Sequence, residues 1–149
     1  MTTYILDTNI LLGYLRGAGF AAFVEKKYAP FRQPNIVVIS DVSVGEIYSL
    51  AIQFNWGEEK KEKLKDLLNK LPTVGISHQS IISKYAEIHA YNIKNGKALG
   101  NNDTWIAATG SVLNGTLLTT DKDFIHLDGK FLKVELIDQS LKGDDAIVQ

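Results

Sequence analysis

Short apolar runs alternate with helix-period segments along this chain, and that alternation constrains its fold more than any other feature. The runs YIL (4–6), NIVVIS (35–40), TVGIS (73–77), TLLTT (116–120) and FLKVELI (131–137) read as strands bounded by turn or capping residues. Between the first two, Ile10, Leu11, Tyr14 and Leu15 share one helical face, and residues 41–54 have helical spacing behind a Ser40 cap. Residues 58–71 set Leu64, Leu67, Leu68 and Leu71 opposite interleaved charges, the pattern of an amphipathic surface helix that Pro72 stops. A long helix is expected from a Ser77 cap to about Asn95, with Gly96 as its stop, and another over 103–115 that closes on Asn114 and Gly115. Parallel strands need crossover connections, so the pattern predicts an α/β fold of three layers, α/β/α, with helices on both faces of a central parallel sheet.

A chain of 149 residues with 45% hydrophobic content fits one core. A single domain over residues 1–138 is expected, followed by a loosely ordered tail, 139–149, that contains the polar stretch KGDD. The formal charge of -1 excludes a globally basic surface, so any nucleic-acid site must be a local patch drawn from the 16 Lys and Arg. Without cysteine there are no disulfides, thiolate zinc sites or cysteine nucleophiles. The opening MTTY has no signal-peptide pattern, and no run approaches the roughly 20 apolar residues of a membrane span. A soluble, cytoplasmic protein with no membrane partner is expected.

Four carboxylates stand out against this map. Asp7 closes the first strand and Asp121 closes TLLTT, at the carboxyl ends of strands, where open α/β sheets bind ligands. Glu46 lies between Val42 and Leu50, at the edge of an otherwise apolar helical face, and Asp103 stands in the first turn of its helix. Each has a local alternative: turn or cap chemistry around Asp7, Thr8 and Asn9, a Ser43–Glu46 capping box, dipole stabilisation at Asp103, and Asx turns at Asp121 and Asp123. Gathered together, ionised carboxylates at ~4 Å repel by about 4 kcal/mol per pair at an effective dielectric near 20. A hard divalent cation offsets that repulsion, and an all-oxygen set favours Mg²⁺ or Mn²⁺. His78, His89 and His126 are scattered without ligand spacing, which disfavours zinc.

ILDTNILLGYL, ISDVSVGEIYSLA, GNNDTWIAATG and LLTTDKDF, in that order over residues 4–124, make the chain resemble PIN-domain ribonucleases, and among them the VapC-like toxins of toxin–antitoxin pairs. The resemblance implies a PIN-like fold in which Asp7, Glu46, Asp103 and Asp121 form the catalytic, metal-holding quartet. It also implies that Thr8, Asn9 and Thr119 or Thr120 orient those carboxylates, with Asp123 beside them. The implied activity is Mg²⁺- or Mn²⁺-dependent hydrolysis of RNA that leaves 5′-phosphate and 3′-hydroxyl ends. Transfer RNA is the most frequent target class, ribosomal RNA the next. A homodimer and a cognate antitoxin are the implied partners, with the helices around 42–54 and 58–71 as candidate interfaces.

The family often carries arginine before the third acid, whereas this chain has NIKNGKALGNND there. RNA contacts are therefore expected from Lys94, Lys97 and Arg16, with Trp105 able to stack a base or pack in the core. Two rivals are a haloacid-dehalogenase-like phosphatase, which wants a second aspartate where Asn9 stands, and a non-catalytic PIN-like module that binds RNA or protein.

Overall fold

A computed structural model describes residues 1–138; the tail expected over 139–149 lies outside the described residues. The elements run β1 (Thr3–Leu6), α1 (Thr8–Arg16), α2 (Ala18–Lys27), β2 (Ile36–Ser40), α3 (Asp41–Gln53), α4 (Glu58–Asn69), β3 (Thr73–Val74), α5 (Gln79–Lys94), α6 (Asn101–Val112), β4 (Thr116–Thr119) and β5 (Lys133–Leu136). A 3₁₀ segment, Lys122–Leu127, links the last two strands.

All five strands are parallel, in the order β3-β2-β1-β4-β5, with Ile5 opposite Val38 on one side and Leu117 on the other. Alternation along the strands divides the apolar side chains between two cores. Tyr4, Leu6, Val37, Ile39 and Leu118 pack under α1 to α4, whereas Ile5, Val38, Leu117 and Val134 pack under α5, α6 and the 3₁₀ segment. This is the expected three-layer α/β/α arrangement. Gly115 enters β4 where a Cβ would lie 3.1 Å from the Thr3 carbonyl oxygen and collide with the tip of the Ile5 side chain, so glycine lets β4 approach β1 without displacing either.

The structure corrects several expectations. Helix α2 has no counterpart in the sequence reading, because AGFAAFVEKK lacks a clean apolar stripe and buries only Gly19 and Val24. The strand expected over 73–77 is two residues long, and Ser77 is not a cap. Helix α5 starts one residue later, behind His78, whose carbonyl receives the Ile81 and Ile82 amides, leaving Ser77 outside capping position. Among the described residues no helix is long and apolar enough to cross a membrane.

Candidate functional site

The chain moves from β1 outward to β2 and β3, then returns to place β4 on the other side of β1. Strand order therefore switches direction between β1 and β4, and the crevice beyond their carboxyl ends is the place where such sheets take ligands. Asp7 follows β1 there and Asp121 follows β4 by two residues. A backbone bond from Asp7 N–H to the Leu118 carbonyl, 3.0 Å, ties the two ends together.

Asp7 is only 4% exposed. Its Oδ1 accepts the Thr8 amide at 2.8 Å, which makes it the N-cap of α1, and its Oδ2 accepts the Thr119 hydroxyl at 2.7 Å. The same hydroxyl accepts the Asp121 amide at 3.0 Å, so Thr119 couples the two acidic strand ends. Capping and site placement coincide at Asp7 instead of competing.

Helix α3 begins behind Ser40, whose Oγ accepts the Val42 amide at 3.1 Å. Glu46 thus sits a turn and a half into the helix, and Ser43, buried with its hydroxyl unpartnered, forms no capping box with it. Instead Glu46 Oε1 accepts the Thr8 hydroxyl at 2.7 Å, and Asn102 Nδ2 lies 3.5 Å from Oε2. Asp103 enters from the first turn of α6.

The four carboxylates line one cleft of about 680 Å³, which Asp41 makes more acidic still. Their charges are felt across it. Burial, then the charges of Asp7, Asp121, Glu46 and Asp123, push the Asp103 carboxyl up to about 7. Burial also raises Asp7, with Glu46 and Asp121 adding to the rise, while the bonds from Thr119 and Thr8 pull it back.

Among the described residues no three Asp, Glu or His side chains stand close enough to hold a metal ion without moving. In donor chemistry, however, the cleft suits a hard cation: every acidic donor is a carboxylate oxygen, and the raised Asp103 marks negative charge that no lining cation balances. Rotation of the partly exposed Glu46, Asp103 and Asp121 side chains is what a bound ion would require.

Asn9 is exposed on the rim of the cleft. Thr120 encloses its hydroxyl without a protein partner, so the bond to Asp7 falls to Thr119 alone. Asp123 gives its amide to Asp121 Oδ1 at 2.8 Å in an Asx turn, and its carboxylate acts on Asp103 only through charge. Arg16, Lys94 and Lys97 are not brought to the cleft. Arg16 ends α1, about 12 Å from Thr8 at 1.5 Å per residue, while Lys94 ends α5 and Lys97 lies in the loop after it. Trp105 stacks on Tyr85 at 4.0 Å between ring centroids and packs against the α5–α6 core, the second of its two expected roles. The sequence reading missed Asp41 and Asn102. Asp41 directly follows β2 and so obeys the strand-end logic applied to Asp7 and Asp121.

Comparison with known proteins bears on this geometry. The structure is similar to VapBC2 from Rickettsia felis bound to a promoter DNA fragment, with 24% identity, a TM-score of 0.78, and coverage of 92% of this chain and 100% of the other. It is also similar to VapBC-1 from nontypeable Haemophilus influenzae, with 22% identity, a TM-score of 0.74, and coverage of 91% and 98%. DNA-bound VapBC from Salmonella typhimurium gives 15% identity, a TM-score of 0.73, and coverage of 91% and 98%. No curated protein matches the sequence. Residues 4–130, which run from within β1 to the turn before β5 and include all four carboxylates, match the PIN domain, and the chain belongs to the PIN-domain family.

Proposed function

We propose that the protein is a metal-dependent endoribonuclease that hydrolyses phosphodiesters of transfer RNA or another structured RNA, and that it acts as the toxin of a toxin–antitoxin pair in the cytoplasm. The observation that carries this reading is the charge of the switch-point cleft, which five carboxylates and no lysine, arginine or histidine line among the described residues, and where burial, then the neighbouring carboxylates, hold Asp103 at about 7. Asp7, Glu46, Asp103 and Asp121 would hold Mg²⁺ or Mn²⁺, which supplies neutralisation of the phosphate and acidification of the attacking water. Thr119 and Thr8 fix the Asp7 carboxylate, and Thr8 also aims Glu46, so one short stretch of chain orients two acids. Asp103 would serve as a donor in its ionised form.

PIN-family membership and likeness to toxin–antitoxin complexes support the toxin role and a protein antitoxin. Tyr48, Ile52 and Phe54 project from α3 and its end into solvent, an apolar surface beside the cleft suited to an antitoxin or a second copy of the chain. A haloacid-dehalogenase-type phosphatase is disfavoured because exposed Asn9 stands where that chemistry needs an acid.

Controlled expression of wild type and Asp103→Asn in a bacterial host tests the reading. Growth arrest with discrete new 5′-monophosphate RNA ends in wild type alone is expected. Equal growth and identical RNA ends in both strains, together with no Mn²⁺ binding by the purified protein, would make it a non-catalytic PIN-like module.

A further inference from the structure

The carboxylate cleft has a second arm. Asn9 and Asp121 line both the cleft and an adjoining depression of about 740 Å³ that runs past Thr120 and Lys122 to Leu136, Ile137 and Asp138 at the end of β5. The two arms differ in charge. Five carboxylates and no lysine, arginine or histidine line the first, whereas Asp121, Asp138 and Lys122 line the second, so that Lys122 is the one cation lining either arm among the described residues.

Lys122 is placed firmly at its base and freely at its tip. Its Cα is about 3.8 Å from that of Asp121 across one peptide bond. The backbone there is fixed on one side by the Asp123 amide on Asp121 Oδ1, 2.8 Å, and on the other by Phe124, which is fully buried. The side chain is exposed and makes no salt bridge among the described residues. Leu136, 42% exposed, gives the arm an apolar wall against which a sugar or base face can lie.

We propose that the second arm binds the substrate strand next to the bond that is cut, and that Lys122 takes the phosphate adjacent to the scissile one. The proposal rests on the nuclease reading of the first arm. A polyanion crossing five carboxylates needs a countercharge besides the metal, and Arg16, Lys94 and Lys97 do not line its path. A lysine supplies a point charge to phosphate whatever the base, so Lys122 adds affinity and positions the strand without reading sequence. A single strand is the form proposed, because an unpaired backbone is free to bend from one depression into the other past Asn9 and Asp121.

The test uses a fluorescent twelve-nucleotide RNA of mixed sequence, bound in Mg²⁺ over a range of salt concentrations. Proteins carry Asp103→Asn to stop turnover, alone or with Lys122→Gln, or with Lys26→Gln as a charge-matched control. Lys26 lies in the last turn of α2, two residues before Tyr28, which lines a separate depression with Thr3, Tyr4 and Thr116 at the amino ends of the strands. Lys122→Gln is expected to weaken binding about two- to fivefold and to lower the salt slope by about 0.7, one single-strand phosphate, with Lys26→Gln unchanged. An unchanged slope in Lys122→Gln, or an equal loss in Lys26→Gln, overturns the second arm and leaves the nuclease reading intact. Full RNA cleavage by Asp103→Asn, or no RNA binding by any of the proteins, overturns both.

Discussion

Asp103→Asn separates the stability of the empty cleft from its capacity for metal. An aspartate raised from 3.8 to about 7 binds its proton more tightly when folded than when unfolded. The destabilisation is therefore absent below about pH 4, grows as pH rises, and is complete above about pH 7. At 1.36 kcal/mol per pH unit the difference has an upper bound of about 4 kcal/mol, which solvent screening on this half-exposed side chain reduces to about 2. Asparagine also gives up the favourable charge at the start of α6, worth about 0.3 to 1 kcal/mol. The variant should thus be more stable than wild type by about 1 kcal/mol at pH 8 in EDTA, a Tm higher by about 2–4 °C, with the gain gone near pH 4. Fluorescence of Trp56 and Trp105 during thermal and urea unfolding reads this directly. Saturating Mn²⁺ should reverse the order, since a ligand at 100 times its Kd stabilises wild type by about 2.7 kcal/mol. A variant less stable than wild type in EDTA at pH 8, or one that gains as much from Mn²⁺, would refute the charge account of the cleft.

Further predictions concern the supports of the site and the core. Thr119→Val keeps shape but removes the donor to buried Asp7, and should cost about 1–3 kcal/mol of stability and weaken Mn²⁺ binding about tenfold or more, measured by urea unfolding and calorimetry. Thr8→Val frees Glu46 Oε1 from its 2.7 Å bond; cleavage should fall while circular dichroism remains that of wild type. Because the proton on Asp103 competes with the cation, Mn²⁺ affinity should fall steadily as pH drops through about 7, and the fall should be shallower in Asp103→Asn. Ile106→Ala opens a cavity under α6 and should cost about 2–5 kcal/mol in urea unfolding, without changing the residue set of the cleft.

Strand-helix alternation made the layers of this fold legible, because each strand is a compact run rich in apolar residues and alternate residues feed opposite cores. Helix α2 was hidden since its three alanines and one glycine carry no periodic signal and tertiary contact through Val24 anchors it. The four carboxylates could be found from their positions at strand ends and helix edges. What joins them could not: Thr119 reaches Asp7 across 112 residues and Thr8 reaches Glu46 across 38, distances over which local pattern says nothing. Nearness in sequence to Asp103 suggested Lys94 and Lys97, neither of which lines the cleft, whereas β4 leads to Lys122, which lines the depression beside it.

The most direct test of the central proposal is incubation of purified wild type and Asp103→Asn with total bacterial RNA, in Mn²⁺ and in EDTA, followed by mapping of 5′-monophosphate ends. Discrete new ends from wild type in Mn²⁺, absent in EDTA and absent with Asp103→Asn, are the predicted result. Cleavage by wild type that persists in EDTA, or cleavage by Asp103→Asn at the wild-type rate, would contradict the assignment of the acidic cleft as a metal-dependent nuclease centre.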